Sequence, residues 1–214
     1  MEKEIHNLSK NLKNSLTIPS MVTNIPTALF QSHHSRWNMA IIFTLLHGDN
    51  LDPNQVMRNV RLRWHFLRRM EMIRVANNRF VYRFDRIQDR DRIEEDQPWM
   101  ILDRLVLLQP YTNEICPETV EFNSIPFWIG FRGLMLEHIS PEVVSLIASS
   151  AGTFLAIRPD GYIPRSTEGY RVRIEVDVRQ ALIQGGHVNS LKKGDIWVTF
   201  VYQSLPPCHC TLCF

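Results

Sequence analysis

The strict alternation of apolar and charged residues from Tyr170 to Arg179 constrains the fold more than any other feature of the sequence. Successive side chains of a β-strand point to opposite faces of the sheet, so an alternating strand has one apolar face and one polar face. Such strands are typical of antiparallel sheets that are covered on one side only. We expect Tyr170, Val172, Ile174, Val176 and Val178 to face the core, and Arg171, Arg173, Glu175, Asp177 and Arg179 to face water or a partner.

Residues 39–110 carry patterns that predict elements in the order β-α-β-β-α-β. Residues 39–46 are an apolar run of strand length, and Asp52 followed by Pro53 is typical of a helix start. The Asn77-Asn78 pair predicts a hairpin turn between two strands. Residues 85–96 are polar and compatible with a helix, and residues 101–108 have the pattern of a further strand. This order is that of a ferredoxin-like, RNA-recognition-like unit.

A second small α+β unit is predicted to follow. Residues 127–131, 154–157, 170–178 and 196–202 have strand patterns, and Ser140-Pro141 is typical of a helix N-cap and first turn. The chain is therefore expected to be α+β, with an N-terminal helix and an extended connector at residues 1–38 and the ferredoxin-like unit at 39–112. The second unit is expected at 113–204 and a short C-terminal segment at 205–214.

The net charge of +2 conceals a strong segregation of charge along the chain. From Arg58 to Arg92, eleven arginines stand against four acids, a local balance of +7. From Ile93 to Glu142, nine acids stand against two arginines, a balance of −7. Concentrated arginines suit a phosphate-bearing partner, but the acidic segment of the same or a neighbouring chain could equally neutralise them. Both interpretations stay open.

The strand that contains Phe80, Tyr82 and Phe84 bears on the mode of binding. RNA-recognition modules usually expose stacking aromatics, but burial of these rings is more favourable here because Arg79 and Arg83 alternate with them. The opposite face would then be exposed and basic, which predicts weak, salt-sensitive and sequence-tolerant contacts to phosphates without base stacking. The candidate phosphate contacts are Arg58, Arg61, Arg63, Arg68 and Arg69 around the first helix, and Arg171, Arg173 and Arg179 on the outward face.

Several classes of protein are disfavoured. The sequence has no phosphate-binding glycine loop, no dinucleotide-binding fingerprint, and no metalloprotease or serine-hydrolase motif. No apolar run approaches the roughly 20 residues that span a bilayer, and the four cysteines do not form the framework of a secreted protein. We therefore expect a non-catalytic, intracellular protein with no membrane association and no small-molecule substrate. An enzyme is the third alternative, after nucleic-acid binding and protein assembly.

The C-terminal residues carry the strongest chemical signal. Cys210 and Cys213 have the C-x2-C spacing with which a tight turn directs two thiolates at one tetrahedral Zn²⁺. Two ligands do not complete a site, and Cys208 or His209 could contribute.

Short motifs that run in order along nearly the whole chain resemble one family. They are Trp64, the segments 80–84, 89–93, 97–99, 105–107, 127–134 and 140–144, and the strand 171–177. In this order they resemble a plant domain of unknown function that precedes a C-x2-C-x4-H-x4-C zinc knuckle, in gag-like proteins related to LINE-type retrotransposons.

The resemblance implies binding of zinc and of nucleic acid, and we expect the nucleic acid to be single-stranded RNA rather than DNA. It also implies that Cys210 and Cys213 are the first two knuckle ligands. The sequence ends at Phe214, before the His and the last Cys, so we expect zinc only if the knuckle is completed beyond Phe214. The alternatives are a protein–protein assembly module, which could form homo-oligomers, and a truncated or decayed element without function.

Overall fold

A computed structural model describes residues 23–34, 37–67, 71–112 and 115–206. The chain forms two units, Met1–Arg36 and Trp37–Phe214. In the first unit, helix α1 spans Thr27–His34, within the stretch that we expected to be an extended connector. That prediction was wrong because a helix of two turns needs no sustained apolar period, and Ala28 and Leu29 favour helix. The N-terminal helix expected before this connector lies outside the described residues.

The second unit begins with five strands and two helices. Their bounds are β1 Ala40–Leu45, α2 Pro53–Arg63, β2 Glu71–Ala76, β3 Arg79–Arg83, α3 Ile87–Glu95, β4 Trp99–Ile101 and β5 Arg104–Tyr111. The strands form an antiparallel sheet in the order β2-β3-β1-β5-β4.

Local side-chain chemistry explains most of these boundaries. The Asp52 carboxylate accepts a hydrogen bond from the Asn54 N–H at 3.1 Å, which caps α2 as predicted. Asn78, with φ of 48°, turns the β2–β3 hairpin, and its side-chain amide donates to the Leu45 carbonyl at 2.7 Å. The strand predicted at residues 101–108 is instead divided between β4 and β5. Leu102 and Asp103 make the turn with φ of 51° and 57°, a conformation that Asp tolerates but Leu disfavours.

One face of the first sheet packs under α2 and α3. Phe80, Tyr82 and Phe84 are all buried on this face, as we predicted. Trp64, fully buried just beyond α2, is the centre of the aromatic cluster. Its ring centroid lies 5.7 Å from that of Phe43, 5.5 Å from that of Tyr82 and 5.9 Å from that of Trp99. The rings are therefore structural and cannot stack on bases without unfolding this core.

The second sheet is formed by the elements that follow. Their bounds are β6 Ser124–Arg132, α4 Pro141–Ala148, β7 Thr153–Arg158, β8 Arg171–Asp177, β9 Gly185–Ser190 and β10 Gly194–Tyr202. This sheet is also antiparallel and five-stranded, in the order β7-β8-β6-β10-β9. Helix α4 covers one face, and its N-cap is Ser140, whose hydroxyl accepts from the Val143 N–H at 3.2 Å. The sequence did not reveal β9, because its residues GGHVNS have low strand propensity.

The core of the second sheet uses the predicted face of β8. Val172, Ile174 and Val176 are buried with the alternating apolar residues of β6 and with α4. Leu105 and Leu107 of β5 join the same cluster, so the two sheets share an apolar contact. The protein is thus α+β with two antiparallel five-stranded sheets. None of the helices in the described part of the chain combines the length and the apolar composition that a membrane span requires.

Candidate nucleic-acid interface

The face of the second sheet that points away from α4, here called the outer face, gathers arginines and tryptophans from four strands. Strand register places Arg158, Arg171 and Gly130 in one row across β7, β8 and β6. The next rows contribute Arg132, which pairs with Thr199, and Trp128, which pairs with Arg173. On β10, Trp197 points to this face because Val198 and Phe200 are in the core.

Trp128 and Trp197 were missed as candidates from the sequence. The guanidinium carbon of Arg158 lies 4.7 Å from the Trp128 ring centroid, in a cation–π contact. Trp197 is 52% exposed, and its indole N–H donates to the Thr199 hydroxyl at 3.1 Å. The signal that could have found both is their alternation with core residues in FWIGF and IWVTF, which directs the indoles outward.

Arg171 lies where the sequence placed it, on the outer face. Its guanidinium passes over Gly130, where a Cβ atom would come within 3.1 Å of Nη1. The same nitrogen donates to the carbonyls of Glu168 and Tyr170. These bonds to neutral main-chain acceptors hold the guanidinium flat on the sheet and leave its charge without a paired carboxylate among the described residues.

Arg173 departs from the expected open position. Its Nη2 donates to the main-chain carbonyl of Glu94, at the end of α3, at 2.9 Å. Burial lowers the pKa of Arg173 below its ordinary value. The residue is therefore half-buried at the border of the outer face, because the end of α3 packs over this part of β8.

Arg179 is exposed in the turn after β8, but it is paired. Its Nε and Nη2 bind the two carboxylate oxygens of Asp177 at 2.9 and 2.7 Å. The bond from Arg179 is the main reason that the pKa of Asp177 falls to about 2. Much of the charge of Arg179 is thus neutralised locally, which makes it a weaker phosphate contact than Arg171.

The candidates on the first sheet form a separate group. Arg58, Arg61 and Arg63 are exposed on α2, whose opposite side buries Val56 and Val60. Arg63 also lies over Trp99, with its guanidinium carbon 5.5 Å from the ring centroid. The structure does not place these three on the outer face. Arg68 and Arg69, and the predicted zinc ligands Cys210 and Cys213, lie outside the described residues.

We predicted that the face opposite Phe80, Tyr82 and Phe84 is exposed and basic, but the structure shows that it is covered. Arg79 donates to the carbonyls of Pro117 and Val120, and Arg83 pairs with Glu71 at 2.7 Å. Val81, between them, is buried with Ala40 and Ile42. The prediction was wrong because residues 117–122 fold over this face and place Val120 and Phe122 on its apolar centre.

Other site chemistries find little support in the described part of the chain. No group of three or more His, Cys, Asp or Glu side chains is arranged to hold a metal ion there. Cys116 is exposed, and its thiol donates to Glu118 at 3.0 Å. The outer face is a surface on which arginines and tryptophans from several strands are brought together.

Comparison with known proteins adds one finding. No curated protein matches the chain. A family match begins before β1 and ends beyond β5, so it covers the first sheet with α2 and α3, while the outer face lies C-terminal to it. Residues 33–119 contain a Domain of unknown function (DUF4283), a domain known from plant retrotransposon-like proteins.

Proposed function

We propose that this protein binds single-stranded nucleic acid, RNA more than DNA, through the outer face of the second sheet. The observation that carries the proposal is that Arg132, Arg158 and Arg171 share one open sheet face with Trp128 and Trp197. Open sheets with this composition suit single strands, because arginines contact phosphates and indoles stack on bases. The domain at residues 33–119 supports RNA, since retrotransposons replicate through RNA.

The proposed mode differs from purely electrostatic contact. Trp197 presents half of its surface to solvent, and stacking on a base contributes about 1–3 kcal/mol without strong sequence preference. The Arg158–Trp128 pair presents a delocalised cation beside a ring, which suits both a phosphate and a base face. Binding is then expected to combine a salt-dependent part with a stacking part.

We infer a supporting role for the first sheet. Its order β2-β3-β1-β5, with α2 and α3 covering one face, supports a ferredoxin-like arrangement in which β4 is an added edge strand. Its aromatic face is occupied by the helices, and its other face meets residues 117–122 and the second sheet. Both faces are therefore used in packing, which leaves the second sheet as the open platform.

The test is fluorescence anisotropy with a labelled single-stranded RNA of about 20 nucleotides at about 50 and 200 mM salt. The variant R132Q/R158Q/R171Q removes three charges from the outer face. Its affinity is expected to fall at least about tenfold, and the salt slope to decrease by about 2, since each neutralised phosphate of a single strand contributes about 0.7. The matched control R58Q/R61Q/R63Q removes three charges from α2 and is expected to change both quantities much less.

Two outcomes would contradict this proposal. If R58Q/R61Q/R63Q lowers the salt slope of RNA binding and R132Q/R158Q/R171Q does not, the interface lies on α2. If wild-type protein binds no RNA at low salt and forms concentration-dependent oligomers, the protein is an assembly module in which the basic segment of one chain docks on the acidic segment of another.

Zinc binding is a separate proposal that the outer face does not require. Cys210 and Cys213 would supply two thiolates, and in the family's motif the His and the last Cys would follow Phe214. Metal analysis of the chain with and without such an extension is the direct measurement, with zinc expected only in the extended form.

A further inference from the structure

A cleft of about 330 Å³ opens at the border of the outer face, between the second sheet and the end of α3. Arg173, Glu175 and Pro126 line its second-sheet side. Glu94, Gln97 and Phe122 line the opposite side. The cleft is continuous with the outer face because Arg173 is the register partner of Trp128.

Two charged groups in this cleft have unused hydrogen-bonding capacity. Arg173 Nε and Glu94 Oε1 are buried, and neither makes a hydrogen bond with the described residues. Glu94 Oε1 lies 3.3 Å from Arg90 Nε, so its charge is partly balanced although the geometry is not that of a hydrogen bond. Buried donors and acceptors without partners are rare in proteins, and those that occur in a cleft point to a ligand that completes them.

The lining restricts what such a ligand can be. A phosphate would meet the carboxylates of Glu94 and Glu175, and a metal cation would meet the guanidinium of Arg173. A neutral ligand with a donor beside an acceptor satisfies both unused groups at once. The volume lies at the small end of the range for ligand sites, roughly 300–1,000 Å³, and Phe122, Pro126 and Leu155 provide apolar contacts for a flat ring.

We propose that this cleft is a subsite for one nucleobase of the bound strand, with Arg173 Nε donating to an acceptor on the base edge and the Glu94 carboxylate accepting from the adjacent N–H donor. Every nucleobase presents such a donor–acceptor pair on its Watson–Crick edge, and splayed bases of single strands are commonly recognised there. The subsite rests on the proposed function, because it takes a base from a strand that the outer face holds. It adds base recognition to a surface that otherwise contacts phosphates and stacks.

The experiment uses neutral ribonucleosides, which carry no phosphate. Adenosine, cytidine, uridine and guanosine are titrated into ¹⁵N-labelled protein, and the Arg173 Nε–H and Gln97 side-chain amide signals are followed by NMR. At least one nucleoside is expected to shift both signals saturably. The E94Q variant keeps the main-chain carbonyl that Arg173 and Gln97 bind, and is expected to weaken binding at least about fivefold. The matched control E95Q changes the same charge at an exposed neighbour and is expected to bind as the wild type does.

The outcomes separate this inference from the proposed function. No saturable shift with any nucleoside overturns the subsite, whether or not RNA binds. Equal shifts in E94Q and wild type also overturn it, because the carboxylate would then play no part. If RNA binds with a salt-dependent affinity but no nucleoside binds, only the subsite proposal is rejected. If RNA does not bind at low salt in the anisotropy measurement, the proposed function is rejected.

Discussion

Arg173 Nη2 donates a 2.9 Å hydrogen bond to the main-chain carbonyl of Glu94, which ties β8 of the second sheet to the last turn of α3. The C-terminal end of a helix, where main-chain carbonyls lack helical partners, carries a partial negative charge and therefore favours a guanidinium. Gln97 Nε2 donates to the same carbonyl at 3.0 Å. A residue that strand alternation places in open water is thus a link between the two sheets.

Replacing Arg173 with methionine tests that link. The variant loses a charged hydrogen bond, but the Glu94 carbonyl keeps Gln97 as a donor, and the buried Nε without a partner is removed. These effects oppose each other, so we expect a loss of about 1 kcal/mol in the free energy of unfolding, measured by urea denaturation. R132M, at an exposed arginine of the same sheet, serves as the control and should change stability by less than about 0.5 kcal/mol. A loss above about 3 kcal/mol would mean that the link is more strongly coupled than its contacts indicate.

Gly185 and Gly186 are neighbours in β9 with opposite tolerance for a side chain. A Cβ on Gly185 would lie 2.3 Å from the Val198 carbonyl oxygen and 2.8 Å from the Trp197 ring, whereas one on Gly186 would meet nothing within 4 Å. We expect G185A to destabilise the protein by about 1–3 kcal/mol because β9 must move away from β10. G186A should change stability by less than about 1 kcal/mol. Thermal denaturation compares the two, and equal effects would contradict the close approach.

The indoles of Trp64 and Trp99 provide a second matched pair. The Trp99 N–H donates to the Ile93 carbonyl at 2.7 Å, while the buried Trp64 N–H makes no hydrogen bond with the described residues. Substitution by phenylalanine leaves a similar cavity at both sites, but only W99F breaks a hydrogen bond. We therefore expect W99F to cost about 1 kcal/mol more than W64F in chemical denaturation. A larger cost for W64F would show that packing around Trp64 outweighs this difference.

Trp197 separates stacking from charge in RNA binding. The W197L variant keeps an apolar side chain and every arginine of the outer face. We expect its affinity for single-stranded RNA to fall by about 1–2 kcal/mol, with an unchanged salt slope, because stacking does not release counterions. Anisotropy titrations at several salt concentrations measure both quantities. An unchanged affinity would place the bound strand away from β10.

The Asp177–Arg179 pair predicts a pH dependence. The pKa of Asp177 is lowered to about 2 in the folded protein, below the value of about 3.9 for an unfolded chain. Its contribution to stability is therefore fully present above about pH 4 and is lost as the pH falls through about 2. Carboxyl NMR titration should give the low pKa in the wild type and a value closer to ordinary in R179Q. A wild-type pKa near 3.9 would show that the pair does not persist in solution.

The local elements of this fold could be predicted because their causes are local. The period of two in residues 170–179 determines which side chains share a face, and the Asp52 and Ser140 side chains cap helices from within one turn. The burial of Phe80, Tyr82 and Phe84 follows from the same reasoning. The β4–β5 turn and β9 escaped prediction because Leu102-Asp103 and a Gly-Gly strand lack the usual local preferences.

The sequence by itself determined which side chains lie together on each strand face, because pleating fixes their direction. The tertiary structure alone decided what each face meets. Arg79 and Arg83 are covered by residues 117–122, Arg173 reaches α3, and Arg171 stays open beside Gly130. These outcomes depend on contacts between segments that are far apart in the chain, and the alternation of a single strand carries no information about them.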